Sequence, residues 1–306
     1  MYYPYLRGRQ FELKAIQEYA ELNRSQNNIL PIIEPVRKTF SNLKTAINKL
    51  SSNDVTFALV LNPNVGEIKS PSTIIDGLAE ILPSVKWHPA FLVDSNYNFI
   101  AEVINNLGYE NIILICSDES DVSNNEFQEL LSSNKIDTVV SKDNRTLKRY
   151  LDSINKGFIR FDDNFNIQKR NSDFLEMSEE KFTEEHLYYK QDGYVGFCDF
   201  TSIPSVFNES GGVPYSVAIH LTYQKSSSDI WIRHFASSIN SDSFANIQGK
   251  FAEAAQKAVL FLDNQNIHTE ASEELRKYVR ETKYPGLGMV KKISIKHHLE
   301  LVNNII

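Results

Sequence analysis

Short apolar runs alternate with helically spaced segments through the first two thirds of the chain. Ile29–Val36, Thr56–Asn62, Ala90–Asp94, Asn111–Cys116, Asp137–Ser141 and Gly157–Asp162 each read as a strand. Between them, apolar positions recur with helical spacing near 10–24, 41–50, 72–82, 98–107, 126–131 and 146–154. Ser41 suits the start of one such helix and Gly108 the left-handed end of another. Continuous apolar runs, rather than clean alternation, fit a parallel sheet covered by helices on both faces. The pattern predicts an α/β fold, a (β/α)8 TIM-barrel-like architecture in a single domain over residues 1–306.

The regularity loosens after Asp162. Residues 163–182 are polar, a helix is expected near 183–190, and Tyr194–Asp199 reads as a seventh strand. Ser216–Tyr223 and Ile230–Phe235 are two more, giving an extra β-hairpin, and additional helices near 251–262, 271–281 and 296–303 make the C-terminal third irregular. Two topologies stay open. Either Ser216–Tyr223 is the eighth barrel strand with Ile230–Phe235 paired onto it, or Ser216–Tyr223 runs antiparallel and Ile230–Phe235 closes the barrel. No stretch is rich enough in Gly, Ser or Pro to mark a domain boundary.

Composition narrows the function classes. The net charge of −7 argues against bulk duplex binding, which needs a basic face. The basic runs Lys142–Arg149 and Lys291–Lys296 read as solvated helix faces or ends. Cys116 and Cys198 lie in apolar runs without metal-ligand spacing and read as buried thiols of a reducing compartment. No apolar run is long enough to cross a membrane and the N-terminus lacks a signal-peptide core, so the expectation is cytoplasmic.

In parallel α/β proteins ligands bind beyond the carboxyl ends of the strands. Glu34, Asn62, Asp94, Asp118, Asp162, Asp199, His220, Tyr223 and His234 fall at or near such ends. Asn62, Asp94 and Asp118 suit turns and caps. Arg160 lies mid-strand in a sheet expected to be buried, so it must be paired, with Glu34, Asp162 and Asp199 as candidate partners. Glu34, Asp199, His220 and His234 are the candidate catalytic residues, and Arg160, Asp162 and Tyr223 the candidate substrate contacts. A carboxylate with two histidines could also hold a divalent metal, although no metal-binding signature is present. Asn208–Pro214 could offer backbone N–H groups to an anion, but it also suits a plain loop. No phosphate-loop, GxGxxG, GxSxG or HExxH motif occurs.

Tyr3–Leu13 (YPYLRGRQFEL) with Ile29–Val36 (ILPIIEPV), and later FIRFDD, GFCDF, SGGVPYSVAIHLTY and RHFAS, resemble the bacterial and phage family called beta protein. Members are often encoded beside a restriction-like nuclease, which implies a role in phage defence and a nuclease as partner. The family supplies no catalytic residue to carry over. Two readings follow. One is an enzyme whose barrel pocket acts on a small anionic or nucleotide-like substrate. The other is a non-catalytic binding or sensor subunit of the nuclease, with Tyr2, Tyr3, Tyr5 and Trp231 as contact residues.

Overall fold

The structure, a computed structural model, describes residues 1–22, 26–208, 212, 214–226, 228–239 and 242–306. These form two compact units: Met1–Asp163 with Glu185–Asp199, and Asn164–Glu184 with Phe200–Ile306. None of the three crossings between them falls in a Gly- or Pro-rich linker, which is why the sequence reads as one domain.

The first unit alternates strand and helix: β1 (Tyr2–Arg7), α1 (Gln10–Ala20), β2 (Ile32–Glu34), α2 (Ser41–Ser52), β3 (Phe57–Val60), α3 (Pro71–Leu78) and β4 (Trp87–Val93). It continues with α4 (Tyr97–Leu107), β5 (Ile112–Cys116), α5 (Asn125–Ser132), β6 (Ile136–Ser141), α6 (Arg145–Ser153) and β7 (Gly157–Phe161). The chain then enters the second unit, where β8 (Glu179–Thr183) lies, and returns through α7 (Glu185–Tyr188) to β9 (Gly196–Asp199). β9 pairs in parallel with both β7 and β1, closing an eight-stranded parallel barrel.

This closure corrects both topologies left open by the sequence. The missing barrel strand is Tyr2–Arg7, and neither Ser216–Tyr223 nor Ile230–Phe235 belongs to the barrel. Tyr2–Arg7 escapes the pattern because Pro4 interrupts it and proline has no N–H for a ladder. Its tyrosines also look amphipathic rather than core-like, although Tyr2 and Tyr5 are buried.

Registers divide the barrel wall into two faces, because paired residues of parallel strands point to one side and neighbours along a strand alternate. Tyr5 pairs with Ile32, Ile32 with Ala58, Val60 with Ala90, Ala90 with Ile113, Ile113 with Thr138, Thr138 with Gly157, and Ile159 with Gly196. This face carries many small residues and is the concave one. The rings of Tyr5 and Phe161 stack across it at 5.7 Å although β9 separates their strands. A Cβ at Gly196 would come 2.4 Å from the Tyr3 ring, so the glycine makes room for that ring inside the barrel. The outward face carries Phe57, Leu59, Phe91, Leu114, Val139, Phe158 and Phe197, all buried.

In the second unit, β10 (Ala218–Gln224), β11 (Ile230–Ala236) and β8 form an antiparallel sheet in the order β10-β11-β8. Val217, Ile219, Leu221, Tyr223 and Phe235 join residues of α8 (Ile247–Asn264), α9 (Glu270–Arg280) and α10 (Leu287–Ile305) in one apolar core. The expectation of a solvated Lys291–Lys296 face is corrected: Lys292 and Lys296 are buried, and Lys292 is paired with Glu274. Lys142–Arg149 is mostly exposed, as expected. No helix among the described residues is long and apolar enough to cross a membrane.

Candidate functional site

Glu34 ends β2 on the concave face, level with Arg7 of β1. Its Oε2 accepts from the Tyr5 hydroxyl at 2.9 Å and lies 3.6 Å from Arg7 Nε. Its Oε1 accepts from the backbone N–H of Asn64, in the segment following β3, at 3.1 Å. The carboxylate is therefore held at the carboxyl end of the barrel strands by a phenol, a guanidinium and a loop N–H. Burial lifts its pKa above the ordinary range, opposed by Tyr5, Arg7 and the N–H groups of Asn64 and Val65. The Arg7 side chain keeps 14% exposure where that of Glu34 keeps 3%.

The other barrel candidates face outward. Arg160 pairs with Phe197, not with the concave residues, and shares its side with Asp199. Its Nε contacts Asp162 at 2.9 Å and its Nη1 contacts Glu185 at 3.1 Å. Of the three expected partners of Arg160, only Asp162 is an ion-pair partner, and Glu185 is one that the sequence did not suggest. Asp162 continues the ladder by donating its N–H to the Cys198 carbonyl. Burial first, then the charges of Asp199 and Asp143, raise its carboxyl pKa against the pull of Arg160. Asp199 accepts a 2.5 Å hydrogen bond from the Tyr2 hydroxyl. Glu34 and Asp199 thus sit on opposite faces of the barrel wall.

His220, His234 and Tyr223 lie in the antiparallel sheet of the second unit, not at the ends of barrel strands. His220 and His234 are directly opposite one another, with Nδ1 atoms 2.7 Å apart. His234 Nε2 lies 3.4 Å from Glu180 Oε1. Burial pushes His220 down to about 3 and His234 to about 4, the neighbouring imidazole adding to the shift of His220. Tyr223 takes the opposite side of its strand and donates to Glu179 at 2.9 Å.

The structure therefore joins Arg160 to Asp162 and His220 to His234, and gives Glu34 a separate setting with Tyr5 and Arg7. The acid-plus-two-histidine metal site is not assembled: among the described residues, no three His, Cys, Asp or Glu side chains form a metal-holding group. Of the anion-binding loop, residues 209–211 and 213 lie outside the described residues, as do 23–25 at the end of the first expected helix. Two of the four expected contact residues are corrected, while Tyr3 stays half-buried. Tyr2 and Tyr5 are buried in the barrel, and Trp231 is half-buried beneath Lys225, whose Nζ sits 3.5 Å from its ring centroid.

Sequence reasoning missed Arg7, Glu180 and Glu185, and named Tyr5 only as a contact residue for a partner. The spacing of Tyr3, Tyr5 and Arg7 was a usable signal, since period two aligns all three on one face of a strand. Nothing local singled out Glu180 within its polar stretch. Comparison of the chain with protein-family models, curated proteins and solved structures finds no match.

Proposed function

We propose that this chain is a barrel enzyme of phage defence that acts on a small anionic, nucleotide-like substrate at the carboxyl ends of its barrel strands. The observation that carries the reading is Glu34. A buried carboxyl on the concave face, beside a guanidinium at 3.6 Å, is suited to exchanging a proton with a ligand that the cation holds. Arg7 would attract the anionic group. Tyr5 would fix the carboxyl rotamer, and Asn64 its second oxygen.

The test pairs thermal denaturation with infection assays. Adenosine and guanosine mono-, di- and triphosphates are screened for stabilisation of the full chain, then repeated with Arg7→Gln and Glu34→Gln. At least one nucleotide should stabilise the parent and Glu34→Gln but not Arg7→Gln, while protection against phage is lost in Glu34→Gln. No stabilisation by any nucleotide, or equal stabilisation of Arg7→Gln, overturns the reading.

The alternative, a binding subunit of a nuclease, gains support from a different surface than the N-terminal tyrosines. Tyr215 and Phe244 are both exposed, with ring centroids 4.0 Å apart. Exposed aromatic pairs suit protein contacts.

A further inference from the structure

His220 and His234 lie on the face of the second unit's sheet opposite Ile219, Leu221 and Phe235, beside Thr222 and Ile232. The 2.7 Å separation of their Nδ1 atoms requires one to donate and the other to accept. His234 Nε2 faces the Glu180 carboxylate at 3.4 Å, which can only accept when ionised, so His234 carries its hydrogen on Nε2. Its Nδ1 is then the acceptor, and His220 must donate through Nδ1–H.

This assignment leaves the Nε2 lone pair of His220 uncommitted. It bonds to none of the described residues, and His220 is only half-buried. Phe165 and Phe174 brace its ring, with centroids at 5.0 and 4.9 Å. Phe174 also lies 4.3 Å from His234, and the Asn166 amide reaches Glu180 Oε2 at 3.4 Å. The order carboxylate, imidazole, imidazole, open lone pair follows the logic of a catalytic triad: the rear groups fix the tautomer of the front one.

We propose that His220 is the reactive end of a Glu180–His234–His220 relay, forming a second site whose Nε2 accepts a proton from an uncharged hydroxyl, either water or a substrate alcohol. As the oxygen adds to a carbonyl carbon, the carbonyl π bond opens to an alkoxide, the O–H bond breaks and its proton passes to His220 Nε2. The imidazolium so formed keeps its Nδ1–H on His234, which Glu180 holds. His234 and Glu180 are positioning residues and touch no substrate.

Diethyl pyrocarbonate tests the lone pair directly. Nε2 attacks a carbonyl carbon, an N–C bond forms, ethyl carbonate leaves, and the ring loses its Nδ1 proton. Labelling of the full chain at pH 7 and pH 5 is mapped by peptide mass spectrometry, with N-acetylhistidine in the same tube. The reference should slow roughly twentyfold at pH 5, because an ordinary imidazole is then almost wholly protonated. His220 should be labelled at nearly the same rate at both values. Long-range proton–nitrogen spectra should show His220 as the Nδ1–H tautomer, reverting to Nε2–H in His234→Phe and retained in His234→Asn, whose amide oxygen can accept. The proposal is overturned if His220 resists labelling at pH 7, slows in step with the reference, or carries its hydrogen on Nε2 in the parent.

Discussion

His297 offers a test of how the second unit responds to acid. It is fully buried on α10, with Nε2 2.8 Å from the Thr222 carbonyl and Nδ1 2.8 Å from the Thr269 hydroxyl. A carbonyl can only accept, so Nε2 carries the hydrogen and Nδ1 is the acceptor. The Thr269 oxygen already accepts from the Ser272 N–H at 3.0 Å and caps α9, so protonating Nδ1 would set a new donor against an engaged group. Burial is the main cause that pushes His297 down to about 4, with His298 and Arg276 adding to it and the Thr222 carbonyl opposing. The unfolded imidazole titrates near 6.5, so between these values the unfolded chain binds the extra proton. The stabilisation is complete above pH 6.5 and is lost as pH falls towards 4. At 1.36 kcal/mol per pH unit, the loss is about 2 kcal/mol by pH 5 and about 3 kcal/mol below pH 4. Carboxyls with raised pKa, such as Glu180, change stability in the opposite sense, so the total slope does not isolate the histidine. The difference between the parent and His297→Gln does. Both are prepared with Trp87→Phe, which leaves Trp231 as the reporter of the second unit, and urea unfolding is followed at pH 8, 6.5 and 5. His297→Gln should be the less stable protein at pH 8, with the gap narrowing by about 2 kcal/mol at pH 5. A gap that stays constant across that range would refute the assignment of a neutral, depressed His297.

Two further predictions concern the barrel. Gly66 has φ +85°, and a Cβ there would lie 2.2 Å from the Val36 carbonyl oxygen, whereas Gly108 has φ +66° and nothing within 4 Å. Gly66→Ala should therefore cost about 2 kcal/mol or more and Gly108→Ala only about 1 kcal/mol, read by urea midpoints with Trp87 as sole tryptophan; equal losses would contradict the contact. Cys116 and Cys198 are free and buried, burial pushing the Cys116 thiol to about 12 and Cys198 well up. Neither should react with an aromatic disulfide reagent within minutes at pH 8, and both should react once urea is added; prompt reaction in the native protein would count against the buried setting.

What was legible in the chain depended on distance along it. Helices and barrel strands declare themselves through neighbours within four residues, and seven of the eight barrel strands overlap the expected apolar runs. Asn124 and Asn144 cap their helices by accepting from residues three places on, another local relation. The eighth strand, Tyr2–Arg7, offers only the period-two spacing of Tyr3, Tyr5 and Arg7, and what makes it a barrel strand is its pairing with β2 and β9. The same cause divided the candidate site. Glu34 was recognised from its place at a strand end, but its partner Tyr5 lay in a segment not read as strand. His220 and His234 were recognised as a pair on adjacent strands, and that adjacency holds, but their assignment to the barrel rested on a topology that β1 displaces.

The polar helix α10 shows why sequence periodicity fails where charge is buried. Lys292, Lys296, His297, His298 and Glu300 are all buried, a pattern that reads locally as a solvated face. Their partners lie far away in sequence. Lys292 meets Glu274, His298 Nδ1 lies 2.9 Å from the Thr222 hydroxyl, and Glu300 accepts from the N–H groups of Glu270 and Ala271 at 2.8 and 3.0 Å. Glu300 thereby serves the N-terminus of α9, where free N–H groups and the helix dipole favour a carboxylate. Burying such groups is tolerated only when their partners are in place, so the packing of α10 depends on α9 and β10 supplying them. A polar helix with this requirement favours one arrangement of the sheet and helices over slipped alternatives, in which the same charges would be buried without partners.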